Sequence, residues 1–216
     1  MGRWERILER VSSKPAVTVL VLLLLALEFM FSVYLTPSYA EATGGGEIID
    51  MSAAYPSVKV QEFLSALKAP GQGIDRYGDP APRQNGLYWY NRIQIADSFF
   101  PLVYGLLLSG LLYRLYRKKY GAFSRYRWII AIPTTAAAAD YLENLTVRIL
   151  ILADPAAAEA AGFLPGLFSA VKFAGILISF LFLLTGLGYF VKGRRDAALA
   201  PGERRKSPPQ ENNPPS

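Results

Sequence analysis

The sequence predicts an all-α polytopic membrane protein, a bundle of four transmembrane helices with a long outer loop. Three observations carry that prediction. Hydrophobic residues make up 52% of the 216-residue chain, and they gather into long runs instead of scattering as in a soluble core. Lysine and arginine crowd some connections between the runs and thin out in others, the asymmetry that orients membrane spans. Aromatic residues stand at the ends of the runs: Tyr34, Trp89 and Tyr90 on one side, Tyr113, Tyr116, Tyr126 and Trp128 on the other. Those are the levels at which interfacial belts form.

The runs cover residues 15–35, 96–116, 128–153 and 163–191. A helix crosses ~30 Å of hydrocarbon with about 20 residues, and each run meets that length. The third is the most polar, interrupted by Asp140, Glu143, Asn144 and Arg148. Residues 1–14 hold four lysines and arginines, the connection 117–127 holds most of another six, and the tail 192–216 a further six. The long connection 36–95 holds five and the short one, 154–162, none. The positive-inside rule therefore expects both termini in the cytoplasm of a plasma- or inner-membrane protein. Within the outer loop, Val60, Phe63, Leu64 and Leu67 make an apolar stripe that predicts a short amphipathic helix over Val58–Leu67. Residues 70–95 read as loop. The tail ends in SPPQENNPPS and reads as disordered. A second reading of the N-terminus is a signal peptide cut near Ser38-Tyr39-Ala40 or Ala40-Glu41-Ala42. Its apolar stretch is longer than the usual core of about 7–15 residues, which favours a retained span.

Cysteine and histidine are both absent. Disulfides, thiolate or imidazole metal sites and Ser-His-Asp or Cys-His catalysis are thereby excluded. No calcium-loop spacing of acids appears, and nothing calls for a cofactor. The net charge of +6 lies beside the apolar runs, which suits an anionic bilayer surface and not a nucleic acid.

The informative residues are ionisable groups inside the runs, which cost roughly 2.5–3.5 kcal/mol each at the centre of a span and normally face protein. Glu28, Glu143, Asn144 and Lys172 come from three different runs, yet all sit roughly 10–15 Å below the outer surface at 1.5 Å per residue. In the fourth run Pro165, Lys172, Ser179 and Gly186 recur every seven residues. In the third, Pro133, Ala137, Asp140, Asn144 and Val147 follow a 4-3 seam, with Glu143 adjoining. Glu28 and Ser32 share a face of the first, and Pro101, Gly105 and Ser109 permit close packing of the second. These patterns predict a polar cleft lined by Glu28, Asp97, Glu143, Asn144 and Lys172, with Asp140 as its floor and Arg148 near its rim. The acids outnumber the bases, so the cleft should hold a proton or a cationic ligand. The competing reading makes the same charges simple braces: Lys172 with Glu143, and Arg148 with Asp140 or Asp97.

Asp140-Tyr141-Leu142-Glu143-Asn144 resembles the D-x-x-E-N signature of small four-span membrane proteins to which no activity is attached. Asp97-Ser98-Phe99-Phe100-Pro101 and Ser169-Ala170-Val171-Lys172-Phe173 extend the resemblance over about residues 50–191. It implies a four-helix fold and no particular chemistry. A more distant likeness is to four-span sterol-isomerase-type proteins, whose acids face a lipid-accessible cavity; their motifs and histidines are missing here, so it serves only as an analogy. The leading functional expectation is an amphipathic or lipid-like ligand in the cleft, bound or processed, with Glu28 and Glu143 as acid/base or cation-binding groups and Lys172 as headgroup partner. The alternatives are an accessory protein that docks a membrane-protein partner or a second copy, and a proton- or ion-coupled carrier. Whether the chain is an enzyme stays open at this level.

Overall fold

Prolines set most of the breaks in this helical chain. A computed structural model describes residues 2–49, 56–68, 72–74, 80–82, 86–121 and 125–199. Among them run α1 (Arg3–Val11), α2 (Lys14–Met30), a π turn (Phe31–Leu35), α3 (Thr36–Thr43), α4 (Ser57–Lys68), α5 (Gly86–Asp97), α6 (Phe100–Tyr120), α7 (Arg127–Leu152), α8 (Pro155–Ala161) and α9 (Phe163–Leu199). Two three-residue strands, β1 (Gln72–Ile74) and β2 (Pro80–Pro82), pair antiparallel with Gly73 opposite Ala81. Among the described residues, three helical stretches are long and apolar enough to cross a membrane: Lys14–Thr43, Gly86–Arg117 and Ala156–Lys192. The third predicted run became α7, whose 26 residues extend about 39 Å at 1.5 Å per residue. Its Asp140, Glu143 and Arg148 make it less apolar than the other three.

Each interruption has a local cause. Ser13 caps α2, its Oγ accepting from the Ala16 amide at 3.4 Å, and Pro15 occupies the first turn. Pro37 has no N–H and its ring crowds the carbonyl of Val33, so the ladder widens into the π turn just before it. Pro101 likewise cannot donate to the carbonyl of Asp97, and the chain breaks at Ser98-Phe99. That break puts the Asp97 carboxyl at a helix end. Gly44, at φ 69°, closes α3 in the left-handed region, and Asp154 caps α8 through the Ala157 amide at 2.9 Å.

The bundle is built around α7, which packs most extensively on α9 and then on α6, while α2 leans on α6. Small residues allow the approach. A Cβ added at Gly175 would stand 2.8 Å from the Cβ of Ala136, and one at Gly105 would stand 3.0 Å from that of Ala137. Because Ala136 Cβ is fixed to the backbone, nothing can yield there except the helices. Gly175→Val should therefore cost about 1–3 kcal/mol of stability by overpacking. Gly188 has open space around it, so Gly188→Ala should be neutral or stabilising through helix propensity alone. Thermal unfolding of the detergent-solubilised variants checks both.

At one end of the bundle, α4 buries Val60, Phe63, Leu64 and Leu67 against a cluster containing Phe31, Leu35, Tyr39, Tyr90 and Ile93. The Phe63 ring meets Tyr90 edge-on at 4.8 Å. Residues 86–95, expected as loop, are instead helical. Tyr90, Ile93 and Ala96 recur at three-residue spacing and form the buried face of α5, a period hidden in the sequence by the aromatic run around it. At the other end α1 lies along α6, with Val11 against Gly110 and Glu9 paired to Arg117 at 2.6 Å. Tyr113, Tyr116, Tyr126, Ile129 and Ile130 form a second cluster there. Burial pushes the Tyr126 phenol up to about 12, so it stays neutral at any physiological pH. The basic N-terminal segment is thus helical, the 154–162 connection holds α8, and α9 continues past Lys192 to Leu199. The SPPQENNPPS segment lies outside the described residues.

Candidate functional site

On α7, Ala136, Asp140, Glu143, Val147 and Leu150 form a buried 4-3-4-3 seam. On α9 the facing stripe is Pro165, Ser169, Lys172 and Ser179, all buried. Where the two seams meet, the Lys172 ammonium lies 2.6 Å from Glu143 Oε2 and 3.2 Å from Asp140 Oδ1. Glu143 is 0% exposed, Asp140 3% and Lys172 7%. The Lys172–Glu143 contact is direct. The Tyr104 hydroxyl of α6 is buried beside the Asp140 carboxyl. Removing three charges from water costs several kcal/mol each, and this mutual contact offsets much of it.

One side of this triad is open. A cavity of about 230 Å³ is lined by Glu28 of α2, Phe31 of the π turn, Ile93 and Asp97 of α5, Phe100 and Tyr104 of α6, Asp140 of α7, and Lys172, Phe173 and Ile176 of α9, together with Ile48. Glu28 is exposed while Asp140 and Lys172 are buried, so Glu28 stands at the mouth and the ion pair at the base. The mouth exists because α2 rests on α6 and has no comparable packing on α9. Glu28 of α2 and Phe31 of the π turn are three residues apart, and Phe31 meets Phe100 edge-on at 6.1 Å. Ser32, four residues after Glu28, is exposed as Glu28 is, and it does not line the cavity.

The predicted residues thus separate into two groups. Glu28, Asp97, Asp140 and Lys172 share the cavity, and Glu143 lies behind Lys172, closed off from solvent. Asn144 is one residue off the seam and lines a shallow pocket on the flank with Asn91, Gln94, Ser98 and Arg148. Its Nδ2 donates to Asp97 Oδ2, and its carbonyl accepts from Gln94 Nε2 at 3.2 Å. Asp97 therefore belongs to both groups. Arg148 donates to Asn91 Oδ1 and not to Asp140 or Asp97, because its place one turn beyond Asn144 carries it to the exposed rim. Asp140, which the bracing reading offered to Arg148, pairs with Lys172 at 3.2 Å.

Sequence reading missed Tyr104, Asn91 and Gln94. Tyr104 was legible in principle, since it lies seven residues after Asp97 and so on nearly the same face. Asn91 and Gln94 fell in a stretch read as loop. Among the described residues no group of acids is placed to hold a metal ion. No family model, curated protein or solved structure matches the chain, so its functional reading rests on the geometry of these side chains.

Proposed function

We propose that the chain crosses the membrane four times with both termini in the cytoplasm, and that its cavity takes the basic head of an amphipathic, lipid-like ligand. The observation that carries the ligand reading is the cavity's composition. Glu28, Asp97 and Asp140 surround a single ammonium that is already engaged by two carboxylates. An anionic head would find Lys172 occupied and three acids opposed to it. A protonated amine would be drawn to the acids near the mouth and could also face the rings of Phe31, Phe100 and Phe173. At about 230 Å³ the space is smaller than the ~300–1,000 Å³ that encloses drug-sized ligands. Only a head fits, and its chain would leave past Glu28 into lipid.

Mass spectrometry of amphiphiles retained by the purified protein tests this. A basic amphiphile should be enriched on the native chain and lost from a Glu28→Gln variant that stays folded. Retention of neutral bulk lipid alone would count against it. Topology has its own test, made simple by the absence of native cysteine. Single cysteines at Asp75 and Glu159 should label from outside, and at Ala122 and Gln210 only from the cytoplasm; labelling of Glu159 and Ala122 from one side would remove α7 as a span.

The bracing alternative draws on one observation, the completeness of the Lys172–Asp140–Glu143 contact between α7 and α9. The two readings part at Glu28, which pairs with none of these and which a brace would not require.

A further inference from the structure

A second charged pocket lies at the opposite end of the bundle, where α1 turns into α2. It measures about 510 Å³ and is lined by Ser12, Ser13, Lys14, Tyr113, Arg114 and Arg117. Its three cations differ in how they are neutralised. Arg117 is paired with Glu9 at 2.6 Å. Among the described residues, Arg114 reaches a backbone carbonyl, that of Ser12, at 3.3 Å and no acid. Lys14 has no ion pair among the described residues, and both it and Arg114 are exposed. Ser13 receives the Ala16 amide on its Oγ, which leaves its hydroxyl proton available to donate. The positive end of the α2 dipole points into the same space.

We infer that this pocket binds the phosphate of an anionic lipid headgroup, held by Lys14, Arg114 and the Ser13 hydroxyl. Two unneutralised cations and a donor within one concavity match the charge and hydrogen-bonding needs of a phosphodiester. A lipid, and not a soluble anion, is favoured by what lies directly above. From Lys14 onward α2 is an apolar helix that leaves Val19, Leu22 and Leu23 exposed, a surface along which acyl chains can lie while the head rests in the pocket. The positive-inside rule assigns this end to the cytoplasmic leaflet, where anionic headgroups attract basic side chains. Glu9 is already engaged by Arg117 at 2.6 Å, so its charge is met within the pocket's wall.

Native mass spectrometry of the full-length protein in neutral detergent, titrated with phosphatidylglycerol, phosphatidylcholine or inorganic phosphate, tests the site. Phosphatidylglycerol should bind at least one copy roughly tenfold or more tightly than phosphatidylcholine, and Lys14→Ala with Arg114→Ala should erase that difference. Arg3→Ala with Arg6→Ala removes the same charge from the same end outside the pocket and should leave the difference intact. An equal loss in that control would reduce the effect to diffuse attraction and overturn the site. So would equal binding of the two lipids to the native chain. Displacement of the lipid by inorganic phosphate at comparable concentration would assign the pocket to a soluble anion instead. Should the double variant fail to fold, Lys14→Gln alone, an exposed change, is expected to give part of the loss, and no loss would refute the assignment.

Discussion

Lys172→Met should destabilise the protein by about 3–5 kcal/mol, because it leaves Asp140 and Glu143 buried without their common cation. Both acids are almost fully shielded, and each loses the ammonium that lies 2.6 Å from Glu143 and 3.2 Å from Asp140. The combined variant Lys172→Met, Asp140→Asn, Glu143→Gln removes the charge without removing the volume. It should recover most of the loss, since a buried ion pair adds little over neutral packing. Thermal or denaturant unfolding in detergent measures both. A single variant as stable as the native chain would mean that the carboxylates are neutralised by something other than Lys172.

Tyr90→Ala should cost a similar amount, about 3–5 kcal/mol for a large aromatic side chain removed from a packed core. Tyr90 is fully buried and joins three elements: the ring of Phe63 on α4 lies 4.8 Å away and that of Tyr39 on α3 6.2 Å away. Its loss should free α4 from the bundle before the membrane helices separate. Limited proteolysis should then cut between α4 and α5 at protease levels that leave the native chain whole, alongside the lowered unfolding midpoint. Unchanged proteolysis would show that α4 is held by other contacts.

How much of this could be seen in the sequence depended on what each residue costs when misplaced. Lys172, Asp140 and Glu143 were conspicuous because charge in an apolar run is expensive wherever it does not find a partner. Which of Glu143 and Asn144 sits on the α7 seam was not legible. Consecutive helical residues differ by ~100°, and both choices satisfy a 4-3 spacing once the neighbouring alanines are treated as interchangeable. Packing against Gly175 decides for Ala136, and with it Asp140 and Glu143, leaving Asn144 to bond Asp97 on the flank. Glu28 stood out in a leucine-rich run, but its position at a mouth depends on α2 leaning on α6 and away from α9, a tertiary fact with no local signature. The stripe of α4 was plain at Val60, Phe63, Leu64 and Leu67. That of α5 was masked by tyrosine and tryptophan on every side, and α1 by its density of charge.

The central claim is a cavity that selects a basic amphiphile, and equilibrium binding of a long-chain alkylamine, compared with an alkyl sulfate of equal length, tests it most directly. The comparison pairs the native chain with a Glu28→Gln, Asp97→Asn variant, which neutralises the acids nearest the mouth and spares the Lys172 triad. The alkylamine should bind the native chain in preference to the sulfate. The variant should lose that preference by about tenfold or more, as removing close charge partners does, while its unfolding midpoint moves little. Equal binding of amine and sulfate, or an undiminished preference in the variant, would contradict the account and leave the buried charges as braces between α7 and α9.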